Sequence, residues 1–135
     1  MELNKLYDIA DRENISVINF KMKNKAIIGK VGKKYCIGLN HSKIDSSREE
    51  KEILAEELGH YYYNALYNSS SDITTIQQKE YKANKWKNTV LVTVNDFKQA
   101  IQKGLYTLYE IAEYLNVSEE TVQFAYNYYK NNNYI

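Results

Sequence analysis

The chain has 135 residues, 44% of them hydrophobic, and a formal net charge of +1, which suits one domain with a single core. The near-neutral charge gives no overall case for binding nucleic acid or a membrane surface, and no apolar run is long enough to cross a bilayer. Cys36 is the only cysteine and no apolar signal segment follows Met1, so we expect a cytoplasmic protein without internal disulfides.

The N-terminal third predicts one helix and a small sheet. Apolar residues at helical spacing predict an amphipathic helix over residues 2–13. Three strands are then predicted at residues 15–20, 25–29 and 34–40, with a turn at Gly32 between the last two. We expect an antiparallel sheet of about three strands. Its lysines would cover a solvated face and edge, although an edge strand could also pair with an extended substrate peptide.

Two longer helices are predicted after the sheet. Ser46 and Ser47 precede Glu49 and Glu50 at capping-box spacing, which predicts a helix from about residue 47 to about Tyr67. Residues 68–72 have the composition of a loop. A second helix is predicted from about Ile76.

The first of these helices carries two adjacent carboxylates and a histidine, in the segment L-A-E-E-L-G-H. Glu56 and His60 lie about 40° apart around a helix, and Glu57 lies about 60° to the other side of His60. The segment differs from the zinc-peptidase pattern H-E-x-x-H in having Glu56 at the first histidine position. The alternative is an ordinary amphipathic helix with solvated carboxylates and a hydrogen-bonded histidine.

The second helix carries a further carboxylate, Glu80, 20 residues after His60. If this helix crosses the first, Glu80 could reach His60 and complete a three-ligand site with an open position for water. Asn84, one turn later, could orient Glu80. Alternatively, Glu80 is a surface charge beside Lys79 and Lys82.

Together these segments, L-A-E-E-L-G-H followed by E-Y-K-A-N, resemble the ImmA/IrrE family of zinc metallopeptidases found in prophages and other mobile elements. The resemblance extends to the order of the predicted elements and covers most of the chain. It implies that Glu56, His60 and Glu80 bind zinc, with Mn²⁺ or Fe²⁺ as alternatives, and that Glu57 acts as the general base. It also implies a protein substrate, namely a helix-turn-helix repressor of the mobile element.

The replacement of a histidine by Glu56 has a physical consequence. Two carboxylates and a neutral imidazole cancel the charge of a divalent cation, so a bound water would be less acidic than in a two-histidine site. The second histidine of the chain, His41, follows the last predicted strand in a loop-like context, where a surface or capping role is expected. A rearranged site that uses His41 is the alternative.

Residues 107–122 have the pattern of a helix-turn-helix, with caps at Thr107 and Ser118 and a turn at Asn116. The charges argue against a DNA reader. Residues 105–135 hold four glutamates and one lysine, and Glu119 and Glu120 open the would-be recognition helix, where phosphates would lie. We therefore expect a packing unit or a docking surface for a protein. A DNA-binding accessory factor is the competing hypothesis.

The sequence as a whole predicts an α+β fold with the antiparallel sheet, a zincin-like helical core and a helical tail. It forms a single metallopeptidase-like domain over residues 1–135, with the peptidase core at 1–92 and the tail at 93–135. The predicted function is a metal-dependent endopeptidase. The alternative is a non-catalytic antirepressor that has kept only the binding surface.

Overall fold

The computed structural model describes residues 1–63 and 73–135 and has an α+β fold, as the sequence predicted. Three strands and six α-helices lie in these ranges, together with a short 3-10 turn at His41–Lys43. The strands are β1 (Ser16–Asn19), β2 (Ala26–Val31) and β3 (Lys34–Leu39). The helices are α1 (Leu3–Arg12), α2 (Ser47–Tyr62), α3 (Ile73–Leu91), α4 (Val94–Gln102), α5 (Leu108–Leu115) and α6 (Glu119–Asn131).

The sheet is mixed rather than antiparallel, because β3 lies between β1 and β2. The β2–β3 hairpin is antiparallel, with Gly32 in the left-handed region at φ 64°. β1 pairs in parallel with β3, so the prediction of a purely antiparallel sheet was wrong for this pair. The burial explains the order. β3 carries Ile37 and Leu39, both fully buried, and the most buried strand takes the central position.

α2 is the central helix and packs against α1, α3 and β2. Its start agrees with the sequence, since the Ser46 side chain accepts a hydrogen bond from the backbone N–H of Glu49 at 3.1 Å. It ends at Tyr62, earlier than the predicted end near Tyr67. The predicted loop at residues 68–72 lies outside the described residues. α3 is already helical at Ile73, three residues before the predicted start.

The C-terminal helices pack into the same core as the N-terminal elements. α5 and α6 form the predicted helix-turn-helix, with Thr107 and Ser118 as caps and Asn116 left-handed at φ 54°. α4 begins at a capping box formed by Thr93 and Asp96. The sequence predicted a helical tail here but did not identify α4 as a separate helix. None of the helices in the described ranges is both long and apolar enough to span a bilayer.

Buried polar contacts connect α2 to the tail. Lys51 is 2% exposed, and its ammonium group donates to the Leu115 carbonyl at the end of α5 (2.9 Å). Glu52 accepts from the Ser118 backbone N–H at 2.7 Å and from the Thr121 hydroxyl at 2.8 Å. The Glu52 carboxylate also lies 3.2 Å from the Lys87 ammonium. α2 therefore contributes a carboxylate to the N-terminus of α6, where the helix dipole favours negative charge.

These contacts set the protonation of Glu52. Burial raises the pKa of this carboxyl group, but the hydrogen bonds from Ser118 and Thr121 and the charge of Lys87 outweigh it, so the pKa falls below its ordinary value. Because the folded-state pKa is the lower one, the carboxylate adds stability above the unfolded-state value of 4.5. That stability is lost as the pH falls through the folded-state pKa.

We expect Glu52→Gln to lower the free energy of unfolding at neutral pH by about 2 kcal/mol, because it removes hydrogen bonds to a buried charge. Urea denaturation at pH 7 and at acidic pH measures the effect, which should shrink as the wild-type carboxylate becomes protonated. Glu119→Gln, at an exposed position at the start of α6, is the control and should cost less than about 0.5 kcal/mol. Equal stability of Glu52→Gln and the wild type would contradict this account.

Candidate metal centre

The site is built where α2 and α3 cross. α2 carries Glu56, Glu57 and His60, and α3 carries Glu80 and Asn84. The crossing is close at Gly59, since a Cβ atom there would lie 2.6 Å from the backbone carbonyl oxygen of Ala83. A backbone atom cannot move aside like the end of a flexible side chain, so this crossing requires glycine. The sequence carried a signal for this: glycine inside a helix lowers helix stability and so needs a reason.

His60 and Glu80 face each other across this crossing. The His60 Nε2 atom lies 3.3 Å from Oε2 of Glu80. Both line a cleft of about 300 Å³, together with Glu56, Tyr81 and Asn84. The three ligands predicted from the sequence thus border one cleft. They do not form a closed ligand set, because no three metal-competent side chains are gathered around one point within residues 1–63 and 73–135.

Glu57 occupies a different position from these three. Its Oε2 atom lies 3.6 Å from Nδ1 of His60, and its side chain is only 12% exposed. Glu57 is not among the residues that line the cleft. His60 is therefore held between two carboxylates, with Glu57 on one ring nitrogen and Glu80 on the other. A carboxylate in the position of Glu57 fixes the orientation of an imidazole whose other nitrogen binds a ligand.

The two carboxylates change the protonation of His60. The hydrogen bond to Glu57 is the largest cause, and it raises the pKa of the imidazole to about 9. Burial acts in the opposite direction, while the charges of Glu57 and Glu80 raise the pKa further. At neutral pH the imidazole of the metal-free protein is thus protonated. A metal ion that binds Nε2 must displace a proton.

The aromatic residues at the end of α2 stabilise the same crossing through ring packing and hydrogen bonds. The rings of Tyr62 and Trp86 lie 5.0 Å apart between α2 and α3. The hydroxyls of Tyr61 and Tyr62 donate to the Glu13 carboxylate at 3.0 and 3.2 Å, which ties α2 to the end of α1. These contacts hold the segment that carries His60.

The polar residues of α3 extend the site by one turn. The Asn84 Oδ1 atom accepts from the Asn88 amide at 3.3 Å, and Asn84 also lines the cleft. Asn88 is 4% exposed, and its Oδ1 atom has no hydrogen-bond partner among residues 1–63 and 73–135. Sequence reasoning identified Asn84 but not Tyr81, whose only signal was its position next to Glu80.

His41 lies elsewhere. Its Nδ1 atom is 3.2 Å from Oδ1 of Asn19, and its Nε2 atom is 3.5 Å from Oε1 of Glu50. Glu50 is ten residues before His60, which is roughly 15 Å along a helix. His41 is half-exposed at the start of α2, as expected for a surface histidine. A rearranged site at the cleft that uses His41 gains no support from this position.

The comparison with protein families identifies the class of this domain. A peptidase family model described as the IrrE N-terminal-like domain matches residues 10–127. The chain therefore belongs to this family, which is of the zinc metallopeptidase type. Neither the curated proteins nor the solved structures gave a significant match. The matched range extends from α1 to α6, so it includes the helices of the tail.

The close approach at Gly59 leads to a stability prediction. Gly59→Ala should lower the free energy of unfolding by about 1–3 kcal/mol, because the helices must move apart. A Gly→Ala change inside an ordinary helix would instead raise the free energy of unfolding by about 1 kcal/mol. A decrease would therefore identify the close contact between the helices as the cause. Urea denaturation measures it. Gly29→Ala in β2 is the control, since a Cβ there meets no atom within 4 Å. An unchanged or higher stability of Gly59→Ala would contradict the crossing described here.

The protonation of His60 leads to a second prediction. In the metal-free protein, the NMR signals of the His60 ring should titrate with a midpoint of about 9. Because the folded-state pKa is raised, this group adds stability below its unfolded-state value of 6.5, and the gain disappears as the pH rises through about 9. Glu57→Gln should lower the midpoint. A midpoint near 6.5 in both proteins would refute the pairing of His60 with Glu57.

Proposed function

We propose that this protein is a metal-dependent endopeptidase and that Glu56, His60 and Glu80 bind its metal ion. The observation that carries the proposal is the approach of His60 and Glu80 to 3.3 Å across the α2–α3 crossing, in a cleft that Glu56 also borders. Membership in the IrrE N-terminal-like family supports the same activity.

The chemistry of the side chains fits a divalent metal. Two carboxylates and a neutral imidazole provide the oxygen and nitrogen donors that zinc accepts, and they balance its charge. Mn²⁺ and Fe²⁺ use the same donor types, so they are the alternatives to zinc. When bound, the metal would polarise the peptide carbonyl group and make a water molecule more acidic. The protein would contribute the orientation of the ligands and the movement of protons.

Glu57 is the proposed base. It is the carboxylate next to the ligand Glu56, and it is not needed for the ligand set. Its carboxylate lies 3.6 Å from Nδ1 of His60 and raises the pKa of that imidazole. In the peptidase it would accept a proton from the attacking water and donate it to the leaving amine. Asn84 would position the Glu80 carboxylate through its amide group.

The proposed substrate is a protein, and in particular a helix-turn-helix repressor of a prophage or another mobile element. This step rests on the resemblance of the motifs to ImmA/IrrE peptidases. The outer edge of β2 is compatible with an extended substrate segment. β2 packs against α2, and Ile27 and Val31 on this strand are 51% and 73% exposed.

A non-catalytic antirepressor is the second candidate, and one observation favours it. Glu57 faces Nδ1 of the His60 ring and does not line the cleft. A protein that acts by binding alone would not need a base in the cleft. Its effect on the repressor would then be independent of Glu57.

Glu57→Gln separates the two candidates, because it keeps the size of the side chain and removes the base. If the protein is a peptidase, this variant should retain the metal and lose cleavage by about two orders of magnitude or more. The measurement is cleavage of a helix-turn-helix repressor from the mobile element that carries the gene, followed by gel electrophoresis and mass spectrometry. Relief of repression by the variant at the wild-type level, without fragments from either protein, would exclude the enzymatic function.

Metal analysis provides the matched controls. The wild type and Glu57→Gln should each bind about one zinc ion per chain, while His60→Ala and Glu80→Ala should lose most of it. His41→Ala, which changes the histidine outside the cleft, should bind zinc like the wild type. Full retention of zinc by both His60→Ala and Glu80→Ala would reject the proposed ligands.

A further inference from the structure

Two further pockets adjoin the cleft at His60 along the contact between α3 and α6. A pocket of about 370 Å³ shares Tyr81 with the cleft and also contacts α6. A smaller pocket of about 170 Å³ shares Asn84 with the cleft and Phe124 with the larger pocket. Each of the three cavities thus shares a wall residue with each of the others. The three cavities therefore adjoin one another, and we call the row that they form from the candidate metal ligands to α6 the groove.

We call the 370 Å³ pocket the α6 pocket. Its lining combines aromatic rings with side-chain amides: Tyr81, Phe124, Asn127, Tyr128, Asn131 and Asn132. The rings of Tyr81 and Phe124 lie 6.2 Å apart and join the two helices. Tyr81 is 55% exposed, so its ring is available to a ligand on the side of the groove.

This lining matches the chemistry of a polypeptide. An asparagine side chain offers both N–H donors and a carbonyl acceptor, so it can pair with a peptide group in an extended segment. Aromatic rings provide apolar surface for a side chain of that segment. No charged side chain lines the α6 pocket among the described residues. Glu119 and Glu120 at the start of α6 disfavour the phosphates of a nucleic acid.

We propose that the α6 pocket is a specificity subsite, which binds an apolar side chain of the substrate polypeptide a few residues from the cleaved bond. This inference rests on the proposed peptidase function, since it takes the cleft at His60 as the place of cleavage. Tyr81 borders both cavities, so the selected side chain should lie within a few residues of the cleaved bond. The helical tail is then part of the substrate-binding surface.

Peptide binding tests the subsite without requiring cleavage. The probe is a library of random 12-residue peptides displayed on phage, selected against zinc-loaded Glu57→Gln protein. Enriched peptides should share an apolar position. Phe124→Ala and Tyr81→Ala, made in the same Glu57→Gln protein, should weaken their binding at least tenfold in isothermal calorimetry. Both variants should still bind one zinc ion, because neither residue is a proposed ligand.

Two control variants match these changes. Tyr126→Ala removes an aromatic ring of α6 that lines a different cavity, and Tyr109→Ala removes an exposed tyrosine of α5. Both should bind the peptides like the parent protein. Because Tyr81 is largely exposed, its variant remains informative even if Phe124→Ala fails to fold.

The outcomes for the subsite and for the peptidase are distinct. Enriched peptides that bind Tyr81→Ala and the parent equally well would overturn the subsite, and so would the absence of any enriched peptide. Peptides that depend on Tyr81 but are not cut by the zinc-loaded wild type would support the subsite and count against the peptidase. Cleavage of the peptides at a bond within a few residues of the shared apolar position would support both.

Discussion

The contact between the backbones of α2 and α3 is the constraint on which the site depends. Gly59 lets the helices approach until the position of its missing Cβ atom is 2.6 Å from the Ala83 carbonyl oxygen. His60 follows Gly59 directly, and Glu80 is one turn before Ala83, so the approach brings their side chains to 3.3 Å. Tyr62 and Trp86 hold the crossing on its next turn. A short and fixed distance between two helices is what a metal site built from both of them needs.

The tail helices are joined to this crossing by polar contacts rather than by apolar packing alone. Lys51 of α2 donates to a backbone carbonyl at the end of α5, and Glu52 of α2 accepts from a backbone N–H at the start of α6. Lys87 of α3 pairs with the same Glu52 carboxylate. Because a buried carboxylate needs all of these partners, the position of α6 relative to α2 and α3 is closely defined. The groove between α3 and α6 therefore has a fixed width. The helix-turn-helix pattern at residues 107–122 thus has a role in packing, whatever else it binds.

Much of the fold follows from local sequence signals. The structure differs from the sequence-based prediction where contacts between distant residues determine the arrangement. Ser46, Thr107 and Ser118 cap their helices as predicted, since a cap depends only on neighbouring residues. The parallel pairing of β1 with β3 depends on which of the three strands is most buried. The local sequence pattern does not determine that. The spacing of Glu56, His60 and Glu80 predicted that they would share a cleft. The contact of Glu57 with Nδ1 of His60 depends on side-chain rotation, which helical spacing leaves open.

The position of Trp86 has a spectroscopic consequence. It is the only tryptophan in the sequence, and its ring lies 5.0 Å from that of Tyr62 at the crossing of α2 and α3. The intrinsic fluorescence of the protein excited at the red edge of absorption thus originates from a single place, beside the candidate ligands. Any change in the separation of the two helices alters the polarity and the quenching around this indole. The chain therefore carries its own reporter for the integrity of the helix crossing, without a label or an added chromophore.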